Sequence, residues 1–226
     1  LNIISAVFKP FDLRSSKKIR YFLTNSKNMQ KRIKDSYGRR SQVLYPTINV
    51  NDFKISNKKK KYFLIVSRLK VYKKVDLAIK VFNDLGLPFY VAGVGSEEKH
   101  LRSIAKDNVS FLGKVPDVVL KELYANCRAF IFPGEEDFGI TPLEAQASGR
   151  PVIGFGRGGL CETVVHGETG ILFKQQTVDS LKNAVMKFID KEDSFVPQKI
   201  REHAKSFDEK VFIREIRDLV KKISEK

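Results

Sequence analysis

From residue 62 onward, short apolar runs alternate with stretches of helical spacing, and this alternation constrains the fold more than any other feature of the chain. "YFLIVSRL" reads as an apolar run, as expected of a strand covered on both faces of a parallel sheet. "KKVDLAIKVFNDLG" follows with Val75, Ile79 and Phe82 on one helical face and Gly86 as its stop. "PFYVAGVG", "VSFLG", "AFIFP", "PVIGFG" and "GILF" read as further strands. The helices between them are "SEEKHLRSIAK", "DVVLKELYANC", "TPLEAQAS" and a short one near "LCETVV". Helical spacing returns at about 177–190 and 208–223. Strands and helices in this order predict an α/β chain: βαβ units in a Rossmann-like, doubly wound parallel sheet.

The first 61 residues follow a different plan. "RYFLTNS" reads as a strand running into a helix capped by Ser26, the helix extends to about Tyr37, and Gly38 stops it. "SQVLYP" is a second short strand closed by Pro46. "TINVNDFKISNKKKK" has no period and is expected to be a linker. The expected division is therefore 1–50, a linker over 51–61, and a Rossmann-like domain over 62–226. Leu1, in place of Met and inside an apolar stretch, suggests a removed leader or a piece of something longer.

The formal charge is +16, from 42 basic and 26 acidic residues, and favours polyanionic partners without choosing among them. The densest basic run, "NKKKKYF", reads as a solvated, mobile linker. The longest apolar runs are too short to span a bilayer, and no segment is laid out as a signal peptide. Cys127 and Cys161 lack metal-ligand spacing and are expected to be buried thiols in a reducing cytoplasm. His166 reads as an exposed turn residue, and His100 and His203 as residues on polar helix faces with no specific role.

In doubly wound sheets, ligands bind beyond the strand C-termini, so candidate residues belong where a strand ends and a helix begins. "GEEDFGITPLEAQASGRP" passes that test, with Glu135, Glu136, Asp137 and Phe138 in the loop after "AFIFP". The amides of Gly139, Ile140 and Thr141 approach a helix N-terminus, which favours a phosphate. Glu136 suits sugar hydroxyls, and Glu144, one turn into the helix, can reach a second set. Carboxylates for hydroxyls and amides for phosphate together describe a sugar nucleotide. Arg68 and Lys73, in "VSRLKVYKKVD", are the expected neutralisers of a leaving diphosphate, with Lys74 as the alternative. Gly93, in "VAGVG", reads as part of a wall beside the nucleoside. The sequence has no Asp-x-Asp pair, so fixed cations rather than a metal are expected to meet the diphosphate. In "GRGGLCE", Arg157 and two glycines are expected to support the donor loop, as is Glu162.

"SRLKVYKKVDLAI", "VSFLGKV", "LYANCRAFIFPGEEDFGITPLEAQASGRPVIGFGRGGLCETV" and "GETGILF", in this order, resemble the C-terminal half of family-4, or group 1, retaining glycosyltransferases of the GT-B fold. The resemblance runs from about residue 21 to the C-terminus. It implies that Glu136 faces the donor sugar, Glu144 binds the ribose, and Arg68 and Lys73 hold the diphosphate. Phe138 to Thr141 would supply backbone contacts, and Lys114 and Val115 would read the base. Residues 1–50 resemble the tail of the acceptor domain, whose remainder would be a missing partner. The implied activity is transfer of a hexose, GDP-mannose being slightly favoured over UDP-sugars, to a glycan or lipid-linked acceptor in cell-surface polysaccharide synthesis. No cofactor or metal is implied. The expected location is cytoplasmic, peripheral on an anionic inner membrane face. The alternatives are a catalytically silent nucleotide-sugar-binding fragment and a nucleic-acid binder. Against the latter, the aromatic residues fall at core spacing. A dehydrogenase lacks its Gly-x-Gly-x-x-Gly.

Overall fold

The structure is a computed structural model that describes residues 2–58 and 61–225. Lys59 and Lys60, at the centre of the basic run, lie outside the described residues, as does Leu1. In the N-terminal segment, α1 (Asn2–Ser16) leads to β1 (Leu23–Thr24), α2 (Lys27–Tyr37) and β2 (Gln42–Val43). β1 and β2 pair in parallel. Ser26 caps α2 by accepting from the Met29 amide, and Gly38 ends the helix at φ 62°, as the sequence predicts.

The main sheet follows in the expected order. It comprises β3 (Tyr62–Val66), α3 (Val75–Leu85), β4 (Phe89–Ala92), α4 (Glu98–Ile104), β5 (Val109–Gly113), α5 (Asp117–Asn126), β6 (Cys127–Phe132) and α6 (Ile140–Ala147). Then come β7 (Val152–Phe155), α7 (Leu160–Thr163), β8 (Gly170–Phe173), α8 (Val178–Asp190), α9 (Pro197–Ala204) and α10 (Glu209–Ser224). The six strands run β5-β4-β3-β6-β7-β8, every adjacent pair parallel. Chain order travels outward from β3 to one edge, returns to β6 beside β3, and travels to the other edge. The β3–β6 junction is thus the topological switch point, where the following loops diverge and leave a crevice.

Strand alternation feeds two apolar layers. Phe63 and Ile65 pack with α3 and α8, through Ile79, Phe82, Leu181 and Phe188. Tyr62 and Leu64 face the other way, with Phe130 of β6, towards Tyr124, Leu143 and Ala147 of the α5–α6 layer.

The expected linker is packed down rather than free. Ile48, Val50 and Phe53 are buried, and a guanidinium fork from Arg201 on α9 donates to Phe53 O at 2.6 Å and Val50 O at 2.9 Å. The Asp208 carboxylate, which caps α10, also accepts from the Val50 amide at 3.1 Å. The segment has no sequence period because distant side chains satisfy its backbone, rather than a ladder of its own.

Two further expectations are corrected. Cys127 is buried but Cys161 is exposed, because the single turn of α7 turns Leu160 and Thr163 inward and Cys161 outward. His203 does have a specific contact: its Nε2 lies 3.1 Å from Thr163 O, and its ring meets Phe207 edge-on. The α9 helix escaped the sequence reading because only Ile200 and Ala204 of its eight residues are buried, too few to show a period.

Candidate functional site

A cleft of about 490 Å³ opens at the switch point, lined by Arg68, Tyr72 and Lys73 from the β3–α3 loop and by Glu136 to Thr141 from the β6–α6 loop. The two loops meet backbone to backbone. Gly134 lies so close to Lys73 that an added Cβ would stand 3.1 Å from the Lys73 Cα. The Lys73 ammonium pairs directly with the Glu136 carboxylate, both side chains being mostly buried. Lys74 takes a left-handed turn conformation at φ 55° and lines a separate small cavity with Asp76 and His100. The loop therefore sends adjacent lysines to different places, with only Lys73 on the cleft. Arg68 lines the same cleft and is exposed.

Across from these cations, α6 begins at Gly139, whose φ of 90° suits glycine; a Cβ there would press on the Phe132 ring at 3.2 Å. No side chain caps this helix, so its first amides face the cleft with the positive end of the helix dipole. Cations, free amides and one carboxylate around a single cleft can hold a diphosphate and, beside it, a hydroxylated ring.

Glu144 lies one turn further on and lines an adjoining cavity of about 260 Å³ that shares Ile140 with the first. The Tyr124 hydroxyl donates to its carboxylate at 2.7 Å. Burial raises the Glu144 carboxyl above the usual carboxylate range, and the Tyr124 hydrogen bond opposes that rise. The folded chain therefore holds this proton to a higher pH than the unfolded chain. The sequence-derived residues Gly93, Lys114 and Val115 line neither cavity. Lys114 and Val115 follow β5, the edge strand two places from β3, whereas Gly93 is pressed against the Ser67 carbonyl, where a Cβ would stand 1.9 Å away.

The acids of "EED" separate. Glu135 is exposed, Glu136 meets Lys73, and Asp137 pairs with Arg32 of α2 at 2.7 Å. Gly158 and Gly159 back this loop. The Gly159 amide donates to Glu136 O at 2.8 Å, and a Cβ on Gly159 would stand 2.3 Å from the Phe138 Cα.

Glu162 does more than support its own loop. Its carboxylate accepts from the Lys27 and Asn28 amides at 2.8 and 2.9 Å, so it caps α2 from a distance, and from the Tyr45 hydroxyl at 2.9 Å. Tyr45 in turn stacks on Phe138, the ring centroids 5.7 Å apart. Burial, then the hydrogen bond to Glu162, push its phenol up to about 12. The β6–α6 loop is thus clamped to the N-terminal segment, which contributes Asn25 and Pro46 to the cleft. The sequence reading missed these two residues, although Asn25 satisfies the strand-end test when that test is applied to "FLTNS". Replacing Glu162 with alanine is expected to lower stability by about 1–2 kcal/mol, the value of a lost helix cap. Urea denaturation checks this, and a loss below about 0.5 kcal/mol would show that the α2 amides find water instead.

Among the described residues, no group of three or more His, Cys, Asp or Glu side chains is placed to hold a metal ion. Among them, too, no helix is long and apolar enough to cross a membrane.

The sequence model described as "Glycosyl transferases group 1" matches residues 49–209. The alpha-1,3/1,6-mannosyltransferase ALG2 of Dictyostelium discoideum is 28% identical, aligned over 98% of this chain and 60% of its own length. The O-antigen chain mannosyltransferase RfbU of Salmonella typhimurium is 33% identical over 67% of this chain and 47% of its own. The chain thus spans only part of the curated relatives it matches. Among solved structures, Anabaena Alr3699/HepE in complex with UDP-glucose superposes with a TM-score of 0.84 at 20% identity, over 96% of this chain and 68% of that one. Sucrose-phosphate synthase from Thermosynechococcus elongatus gives 0.80 at 20% identity, over 89% of this chain and 57% of that one. At such identities the structural matches establish the fold.

Proposed function

This chain belongs to the group 1 glycosyl transferases, and from that premise we propose that it is the donor-binding half of a retaining, metal-independent hexosyltransferase. The donor is a nucleoside diphosphate sugar and the acceptor a glycan or a lipid-linked glycan. In the reaction the bond from the anomeric carbon to the diphosphate breaks and its electron pair passes to the diphosphate oxygen. The acceptor oxygen takes that place on carbon and passes its proton to the departing diphosphate. Arg68, Lys73 and the first amides of α6 meet the negative charge as it develops, usually the largest contribution to such catalysis. Glu136 holds the sugar and keeps Lys73 in position beside it. Glu144, in the adjoining cavity, accepts from the ribose hydroxyls. Residues 1–50 are the end of the acceptor domain, joined to the donor domain through 51–61.

The observation that carries this reading is the meeting of Arg68, Lys73, Glu136 and the α6 amides in one cleft, with Glu144 next along the same helix. Two relatives bear mannosyltransferase names, which favours GDP-mannose, while a structural neighbour was solved with UDP-glucose. Calorimetry with GDP-mannose, UDP-glucose, GDP and UDP tests the reading. One nucleotide series is expected to bind, and no binding of any of them at millimolar concentration would overturn it.

The raised Glu144 carboxyl adds a signature. Hydroxyl donors need the ionised form, so nucleotide affinity is expected to rise as pH climbs from the ordinary carboxylate value through the raised one. Fold stability attributable to Glu144 falls over the same window, because there the folded state binds more protons than the unfolded state. Glu144→Gln is expected to weaken nucleotide binding about tenfold and to flatten both pH profiles. A profile with the same slope in that variant would assign the titration to another group.

A further inference from the structure

The N-terminal segment carries a second cavity, of about 420 Å³, lined by Lys27, Lys31, Lys34, Arg39, Arg40 and Ser41, together with Gln30. Lys27, Gln30, Lys31 and Lys34 recur at helical spacing on one face of α2, while Arg32, which reaches the donor loop, lies well round the helix from them. The cavity is therefore separate from the donor cleft. We propose that it binds a phosphate group, borne by a lipid headgroup or by a soluble phosphate.

Five cations line it and no acid does. Among the described residues, the side chains of Lys27, Lys31, Lys34 and Arg40 have neither an ion pair nor a hydrogen bond. Local structure therefore does not account for the cluster, and an anion in the cavity would relieve it. The site is also partly organised in advance. The Arg39 guanidinium is anchored by Ser16 O at 3.0 Å and Ile19 O at 2.6 Å and lies over the Phe22 ring. Gln30 is tied to Ser41 O at 2.6 Å. The Ser41 hydroxyl is buried without a hydrogen-bond partner among the described residues, a donor suited to a phosphate oxygen. This inference stands independently of the donor reading, since none of its residues lines the donor cleft.

The test has two arms on the chain and its variants. Co-sedimentation uses vesicles of phosphatidylglycerol and phosphatidylcholine in equal parts, with phosphatidylcholine alone as reference. Calorimetry uses inorganic phosphate and pyrophosphate. The variant Lys31→Glu/Lys34→Glu is compared with Lys221→Glu/Lys222→Glu on α10, which carries the same charge change. In at least one arm the α2 variant is expected to bind about thirtyfold more weakly, about fivefold per lysine, and the α10 variant to bind within about threefold of the parent. Loss confined to vesicles identifies a lipid headgroup, and loss in calorimetry a soluble phosphate. Failure of the parent to hold either probe, or equal weakening by both variants, overturns the proposal.

Discussion

Replacing Lys73 with alanine is expected to slow hexose transfer by about two to three orders of magnitude, the effect of removing one preorganised charge from a developing oxyanion. Donor affinity should fall far less, because Arg68 and the α6 amides still meet the ground-state diphosphate. The substitution also leaves Glu136 mostly buried without its cation. Part of any stability loss therefore comes from that carboxylate, and Lys73→Ala/Glu136→Gln should recover stability without recovering rate. Release of nucleoside diphosphate in the presence of a glycan acceptor measures the rate, and urea denaturation the stability. A rate within about threefold of the parent would remove Lys73 from the mechanism. Lys74→Ala is the internal control, since Lys74 lines a different cavity.

Arg150→Ala is expected to lower stability by about 3–4 kcal/mol, seen in a chain of this size as a fall in melting temperature of about 10 °C. Arg150 is completely buried and, among the described residues, forms no ion pair. Its Nε donates to Ala125 O at 2.8 Å and its Nη2 to Ser56 O at 2.8 Å and again to Ala125 O. Burial lowers its pKa, so the cation itself is a burden on the fold. Alanine nevertheless orphans two carbonyls and opens a cavity, and those losses outweigh the relief. Lysine should not rescue the position, because a single ammonium lacks the planar fork that spans both carbonyls. A loss below about 1 kcal/mol would show that water replaces the fork.

Local elements were legible from the sequence to within about three residues wherever burial imposes a period. β3 is apolar throughout because both its faces are covered, and α3 shows its core face at Val75, Ile79 and Phe82. Caps at Ser26, Gly38 and Gly86 were readable because they act within a few residues of themselves. The site residues were legible as a class, since a doubly wound sheet places every strand-to-helix loop on one edge. Their mutual geometry was not. Glu162 capping α2 across 135 positions, Arg201 holding residues 50 and 53, and Asp137 pairing with Arg32 join segments whose separation along the chain carries no pattern.

The sequence by itself determined the alternation of elements, their ends, and therefore a parallel sheet with its strand-to-helix loops on one edge, because propensity, capping and hydrophobic period act over a few residues. Only the tertiary structure decided which loops share the crevice. Strand order set β3 beside β6, sent Lys73 to Glu136 and Lys74 elsewhere, and left the loop after β5 outside. The reason is that strand neighbours are chosen by how whole faces pack against two helical layers, a sum over the entire core that no single stretch of residues contains.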